Sequence, residues 1–149
     1  MSDPRLISQL FGQADADHLE TSTEHGGILD FNDPASKKNN SGNKTPVKMR
    51  VRAHAYQSIQ KTRDDAFYPP PSMITHLYTA LAHYHFHAQS KTNARAAGPG
   101  RVDRQLATRL PACYLVFSFI NQDQLNVDYY QQGGVVIDLG MIARPQPGS

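Results

Sequence analysis

The chain is poor in several things that narrow its chemistry. Of its 149 residues only one is cysteine, Cys113, so no internal disulfide can form; set in an apolar run, this thiol is expected to be buried and structural. Lysine and arginine form no dense run and the net charge is only +2, which argues against a nucleic-acid partner. No apolar stretch approaches the length of a membrane span, and the start, MSDPRLISQLFG, lacks the basic region and apolar core of a leader, so a soluble, cytoplasmic protein without a membrane partner is expected. Glutamate is scarcer still: Glu20 and Glu24 are the only two, and any mechanism that needs a glutamate must use one of them. The hydrophobic share, 39%, is low for a globular domain, and part of the chain is therefore expected to be loop.

What is present fits one domain over residues 1–149. Pro4 opens a short helix carrying Leu6, Ile7, Leu10 and Phe11, expected to end near Gly12. Gly26–Phe31 reads as a strand. Residues 32–46 have no apolar face and are expected to form a mobile insert. Residues 47–55 alternate without a fault, with Val47, Met49, Val51, Ala53 and Ala55 on the face to be buried. Pro69, Pro70 and Pro71 predict a stiff extended connector. Residues 80–88 alternate again, residues 89–100 read as loop, and residues 101–110 predict a helix with Val102, Leu106 and Leu110 on one stripe. The apolar run 113–120 predicts a central strand, residues 125–130 and 135–139 two more, and residues 144–149 a disordered tail. This order predicts an α/β (α+β) domain whose sheet is mixed and mostly antiparallel, flanked by helices.

The chemistry is concentrated at His83, His85 and His87. At i, i+2 and i+4 of a strand their side chains share one face, while Ala82, Tyr84, Phe86 and Ala88 take the other and pack. Two neutral imidazoles so spaced can hold one metal ion on a rigid strand. A polar strand face with three incidental histidines is the competing reading. Several zinc folds use a His-x-His strand. A cupin needs a glutamate soon after the pair, and none follows Glu24; a metallo-β-lactamase-like site continues with Asp-His where Gln89 and Ser90 stand; an α-type carbonic anhydrase needs a longer chain.

The remaining arrangement resembles the JAMM/MPN metalloprotease family, in its divergent bacterial JAB-like form. Glu24-His25-Gly26-Gly27-Ile28-Leu29 is similar to the family's Glu-bearing segment before a Gly-rich strand, His85-Phe86-His87 to its His-x-His strand, and Pro99-Gly100-Arg101-Val102-Asp103 to its Pro-Ser-x-x-Asp helix start. The likeness runs over residues 20–120. It implies a cytidine-deaminase-like, MPN/JAB-like domain with Zn2+ held by His85, His87 and Asp103. Glu24 is then the general base, and the reaction is cleavage of a peptide or isopeptide bond in a protein or peptide substrate. Three departures stand beside it: Gly100 replaces the family's serine, Ala88 its proline after the second histidine, and the loop from Ala88 to Pro99 is longer. They leave open a module that binds metal or a protein without turnover.

Overall fold

A computed structural model describes residues 3–19, 25–31, 51–58, 67–76, 79–87 and 98–146. The chain is a mixed α+β domain built on a six-stranded sheet in the order β2-β1-β3-β4-β5-β6. The strands are β1 (His25–Phe31), β2 (Val51–Gln57), β3 (Ala82–His87), β4 (Tyr114–Asn121), β5 (Gln124–Gln131) and β6 (Val135–Ala143). Every neighbouring pair is antiparallel except β3 and β4, which run parallel. A parallel pair needs a crossover, and α3 (Arg101–Arg109) lies between those two strands in the chain. The other helices are α1 (Pro4–Leu19) and the single turn α2 (Pro71–Ile74).

The two faces of the sheet are covered by different helices. On one face, Leu6, Leu10, Phe11 and Ala14 of α1 pack on Tyr84, Phe86, Leu115, Phe117, Phe119, Leu125 and Val127. On the other, Ala107 of α3 packs with Tyr114, Val116 and Tyr130, and Met73 of α2 with Ile28 and Phe67. Period-two alternation along β3, β4 and β5 sends each strand's residues to both layers in turn.

The helix α1 runs further than its sequence suggests. Asp3 starts it, its side chain accepting the Arg5 N–H at 3.0 Å. Gly12 does not stop it, because Gly12 faces solvent while Ala14 and Asp17 continue the buried stripe. An exposed glycine costs a helix about 1 kcal/mol, less than packing of that stripe returns. Other expectations are corrected as well. The strand expected over 47–55 is observed over Val51–Gln57, its first residues lying outside the description; it is an edge strand, so Val51 and Ala53 are only half-buried and Ala55 is exposed. Cys113 is exposed, since the buried run starts one residue later at Tyr114. The tail does not begin at Arg144, whose guanidinium pairs with both carboxylate oxygens of Asp15 (2.9 and 2.7 Å) and lies 4.6 Å over the Phe11 ring.

Pro70 is extended as expected, but Pro71 opens α2 instead of continuing the connector. In α3 the most buried residues are Asp103 and Ala107, with Leu106 and Leu110 partly buried, so the helix rests on a stripe that includes its one carboxylate. The insert 32–46 and the end of the tail, 147–149, lie outside the described residues. Among the described residues no helix is long and apolar enough to cross a membrane.

Candidate metal centre

The strand β3 sits inside the sheet, between β1 and β4, and this position holds its histidines rigid. Tyr84 and Phe86 on its α1 face are fully buried, and the Tyr84 hydroxyl donates to Gln13 Oε1 of α1 at 2.5 Å. His83, His85 and His87 therefore point to the opposite face, where α3 lies. At the start of α3, the Gly100 N–H donates to Asp103 Oδ2 at 2.8 Å, which ties the helix's first turn to the Asp103 carboxylate. The helix-dipole role that any acidic residue could play there and the contact with the histidines use the same oxygen.

The three ligand atoms form a nearly equilateral triangle. His85 Nε2 and His87 Nε2 are 3.2 Å apart; Asp103 Oδ2 is 3.2 Å from the first and 3.1 Å from the second. Ligand atoms about 2.0–2.1 Å from a tetrahedral ion lie roughly 3.3–3.4 Å from one another. The spacing therefore matches a shared cation. Protein-only hydrogen bonding does not account for it. If both Nε2 atoms carry protons, two donors confront each other at 3.2 Å; if either is bare, its lone pair faces the carboxylate. A single cation satisfies all three contacts at once. His85, His87 and Asp103 are thus a largely buried group able to hold a metal ion. His87 is the most open of the three, its side chain 27% exposed, so the centre faces solvent on that side.

Electrostatics agrees with this assignment. Burial alone would raise the Asp103 carboxyl; the charge of His85 and hydrogen bonds from His85 and His87 outweigh it and hold the group well below the usual carboxylate range. Asp103 is therefore an anion at neutral pH, as a ligand must be.

His83 is separated from the pair it resembles in sequence. It lies 3% exposed, edge-on to Tyr114 at 5.2 Å between ring centres, and burial, then the charge of His85, pushes it down to about 4. The triple of the sequence is a ligand pair plus one neutral buried histidine. Two side chains around the centre, and the steric role of Gly26, escaped sequence reading. The Tyr130 hydroxyl lies 3.5 Å from His85 Nδ1, and the Phe67 ring stacks on His85 at 6.2 Å. Gly26 leaves the room for this: a Cβ there would come within 2.9 Å of Phe67 and 3.0 Å of the His85 Cβ. None of the three has a local signal, because each reaches His85 from another strand or loop.

Glu24 lies outside the described residues. Its neighbour His25 is the first residue of β1, with its N–H held by Asp17 Oδ1 at 2.8 Å, and Gly26 pairs with His85. Gly100 is the extended N-cap of α3. Fold and site together define a mixed α+β domain with a three-residue group able to hold a metal ion between a central strand and a helix start. Compared with known proteins, the chain matches no family model, no curated protein and no solved structure.

Proposed function

We propose that this protein is a zinc-dependent hydrolase of the JAMM/MPN type that cleaves a peptide or isopeptide bond in a protein or peptide substrate. The observation that carries the reading is the triangle of His85 Nε2, His87 Nε2 and Asp103 Oδ2, with sides of 3.1–3.2 Å. Two imidazoles and a carboxylate suit zinc, and three protein ligands are the number used by catalytic zinc sites, which keep one position for water or substrate. Held there, zinc supplies a Lewis acid and lowers the pKa of a water molecule towards neutrality.

The chain's own contribution is proton transfer and orientation. Glu24 is the general base: its carboxylate takes the proton of the attacking water and returns it to the leaving amine. Two features support this role. Asp17 fixes His25, the residue bonded to Glu24, and the Gly26–His85 pairing brings this end of β1 beside the metal ligands. Two Cα steps, about 3.8 Å each, separate Glu24 from Gly26.

A second reading, a module that binds metal without turnover, is favoured by one observation: Gly100 offers no hydroxyl for the developing oxyanion. The tests separate the two. Purified protein is expected to carry about one zinc per chain by elemental analysis, lost in His85→Ala, His87→Ala or Asp103→Ala. Full zinc retention in Asp103→Ala would remove the third ligand and the family reading with it. Against fluorogenic peptide and isopeptide substrates, Glu24→Gln should keep zinc and lower turnover about a hundredfold to ten-thousandfold. Unchanged turnover in that variant would end the proposed role of Glu24. Gly100→Ser is sterically open, since a Cβ there lies 3.5 Å from Asp103 Oδ2, and should raise turnover if an oxyanion is being stabilised.

A further inference from the structure

Behind the ligand triangle the sheet and α3 enclose a small pocket. Its polar wall is His83, His85, Asp103, Tyr114 and Tyr130, and it has room for about one water molecule. Two features of this pocket have no part in the metal centre as described. His83 Nε2 is fully buried and has no hydrogen-bond partner among the described residues. Tyr130, 1% exposed, has its hydroxyl on His85 Nδ1 at 3.5 Å. A buried polar atom without a partner is costly, and a hydroxyl held only by a 3.5 Å contact is weakly served, so both groups need an account.

The chemistry of His85 supplies it. Its Nε2 faces His87 and Asp103, and a nitrogen that binds a metal is bare, so the ring's single proton belongs on Nδ1. The group on that side is the Tyr130 hydroxyl, which accepts the Nδ1–H and is then left with its own proton to donate. Among the described residues that line the pocket, His83 Nε2 is the acceptor without a partner. The rings connect the same residues: His83 lies edge-on to Tyr114, Tyr114 stacks on Tyr130 at 5.1 Å, and Tyr130 stands edge-on to His85. Register explains the grouping, because His83, Tyr114 and Tyr130 are cross-strand partners on β3, β4 and β5.

We propose that His83 and Tyr130 are positioning residues for the metal ligand His85, acting as a one-way relay: His85 Nδ1–H donates to Tyr130, and Tyr130 donates through one enclosed water to His83 Nε2. The relay fixes the tautomer that leaves His85 Nε2 bare. It gives the first histidine of the triple a task distinct from ligation. It rests on the metal-centre part of the proposed function, and not on turnover.

The test reads tautomers and affinity instead of activity. In zinc-loaded protein labelled with 15N-histidine, long-range 15N–1H correlation spectra should show His85 protonated on Nδ1, with that proton protected from exchange by Tyr130. Tyr130→Phe keeps the ring on Tyr114 and removes only the oxygen. It should leave the Nδ1 proton exchanging faster with solvent and weaken zinc about tenfold to a hundredfold in chelator competition, the usual worth of such outer partners. His83→Leu should shift both readouts the same way, His83→Gln should restore them, and Tyr130→Phe/His83→Leu should be no weaker than Tyr130→Phe alone. A wild-type His85 carrying its proton on Nε2, or a Tyr130→Phe protein that binds zinc as tightly as wild type, overturns the relay. If Tyr130→Phe does not fold, the wild-type tautomer decides alone. Absence of hydrolysis would sink the hydrolase reading and leave the relay standing; an Nε2–H tautomer in an active enzyme would do the reverse.

Discussion

The same three strands, β3, β4 and β5, make two layers of opposite character. On the α1 face, Tyr84, Phe86, Phe117, Phe119, Leu125 and Val127 form a nearly all-carbon core. One residue away along each strand, the α3 face collects His83, His85, Ser118, Asn126, Asp128 and Tyr130, all buried. Burying such groups costs free energy unless each finds a partner. The contrast teaches a division of labour. The α1 face supplies the stability, and the α3 face spends part of it to hold polar groups out of water at fixed distances. Asp128 shows the strain of that second layer: burial raises its carboxyl despite the 2.8 Å bond from Asn126 Nδ2, and its cross-strand partner Asp138 adds to the rise.

The sharpest way to break the contrast is to delete one residue from each side of β3. His87→Ala should abolish zinc binding entirely, with unfolding in denaturant changed little in the metal-free state, because His87 is partly exposed and lies outside the α1 core. Phe86→Ala, on the adjacent position, should lower stability by about 3–5 kcal/mol in a denaturant titration. Whatever fraction stays folded should bind zinc normally. If Phe86→Ala were mild and His87→Ala ruinous to the metal-free fold, the division would be the wrong way round.

A smaller effect separates the layers by pH. His83 titrates near 6.5 when unfolded and at about 4 when folded, lowered by burial and then by the charge of His85. The unfolded chain therefore binds a proton first. The metal-free protein should keep its full stability above pH 6.5 and lose up to about 3 kcal/mol between pH 6.5 and 4 from this group. His83→Gln should flatten that window, while Phe86→Leu should leave its shape alone. An unchanged pH profile in His83→Gln would show that the cost of the polar layer lies elsewhere.

The smallest effect concerns the rim of the α1 face. Arg144 joins the chain after β6 to Asp15 and Phe11 of α1, through a bidentate but largely solvent-exposed pair. Arg144→Ala should cost no more than about 1 kcal/mol by thermal or denaturant unfolding, and the loss should shrink at high salt. A larger loss would mean that this contact, and not the apolar core, seats α1.

Alternation was legible in the sequence because it follows from backbone geometry alone. The pattern of residues 80–88 assigned Tyr84 and Phe86 to one layer and the histidines to the other, and the apolar run from Tyr114 marked a central strand. The mixed, mostly antiparallel sheet followed from the order of the elements. Boundaries were less legible. An exposed glycine did not end α1, and Cys113 fell just outside the buried run, since packing and not propensity sets where an element stops. Asp103 is named only through the family resemblance, since an acid in a first helical turn is common without any ligand role, and its contact with His85 and His87 depends on how α3 lies against the sheet.

Sequence by itself determined which residue types stand on which face: a period of two needs no tertiary information, and neither does the scarcity of glutamate that leaves only Glu20 and Glu24. The resemblance names His85 and His87, but only the tertiary structure brings that pair to Asp103 and leaves His83 apart. That arrangement is made by the cross-strand register that puts Tyr114 and Tyr130 beside His83, and by the helix start that carries Asp103 to His85 and His87. Both are distances between segments far apart in the chain, set by packing that no local pattern encodes.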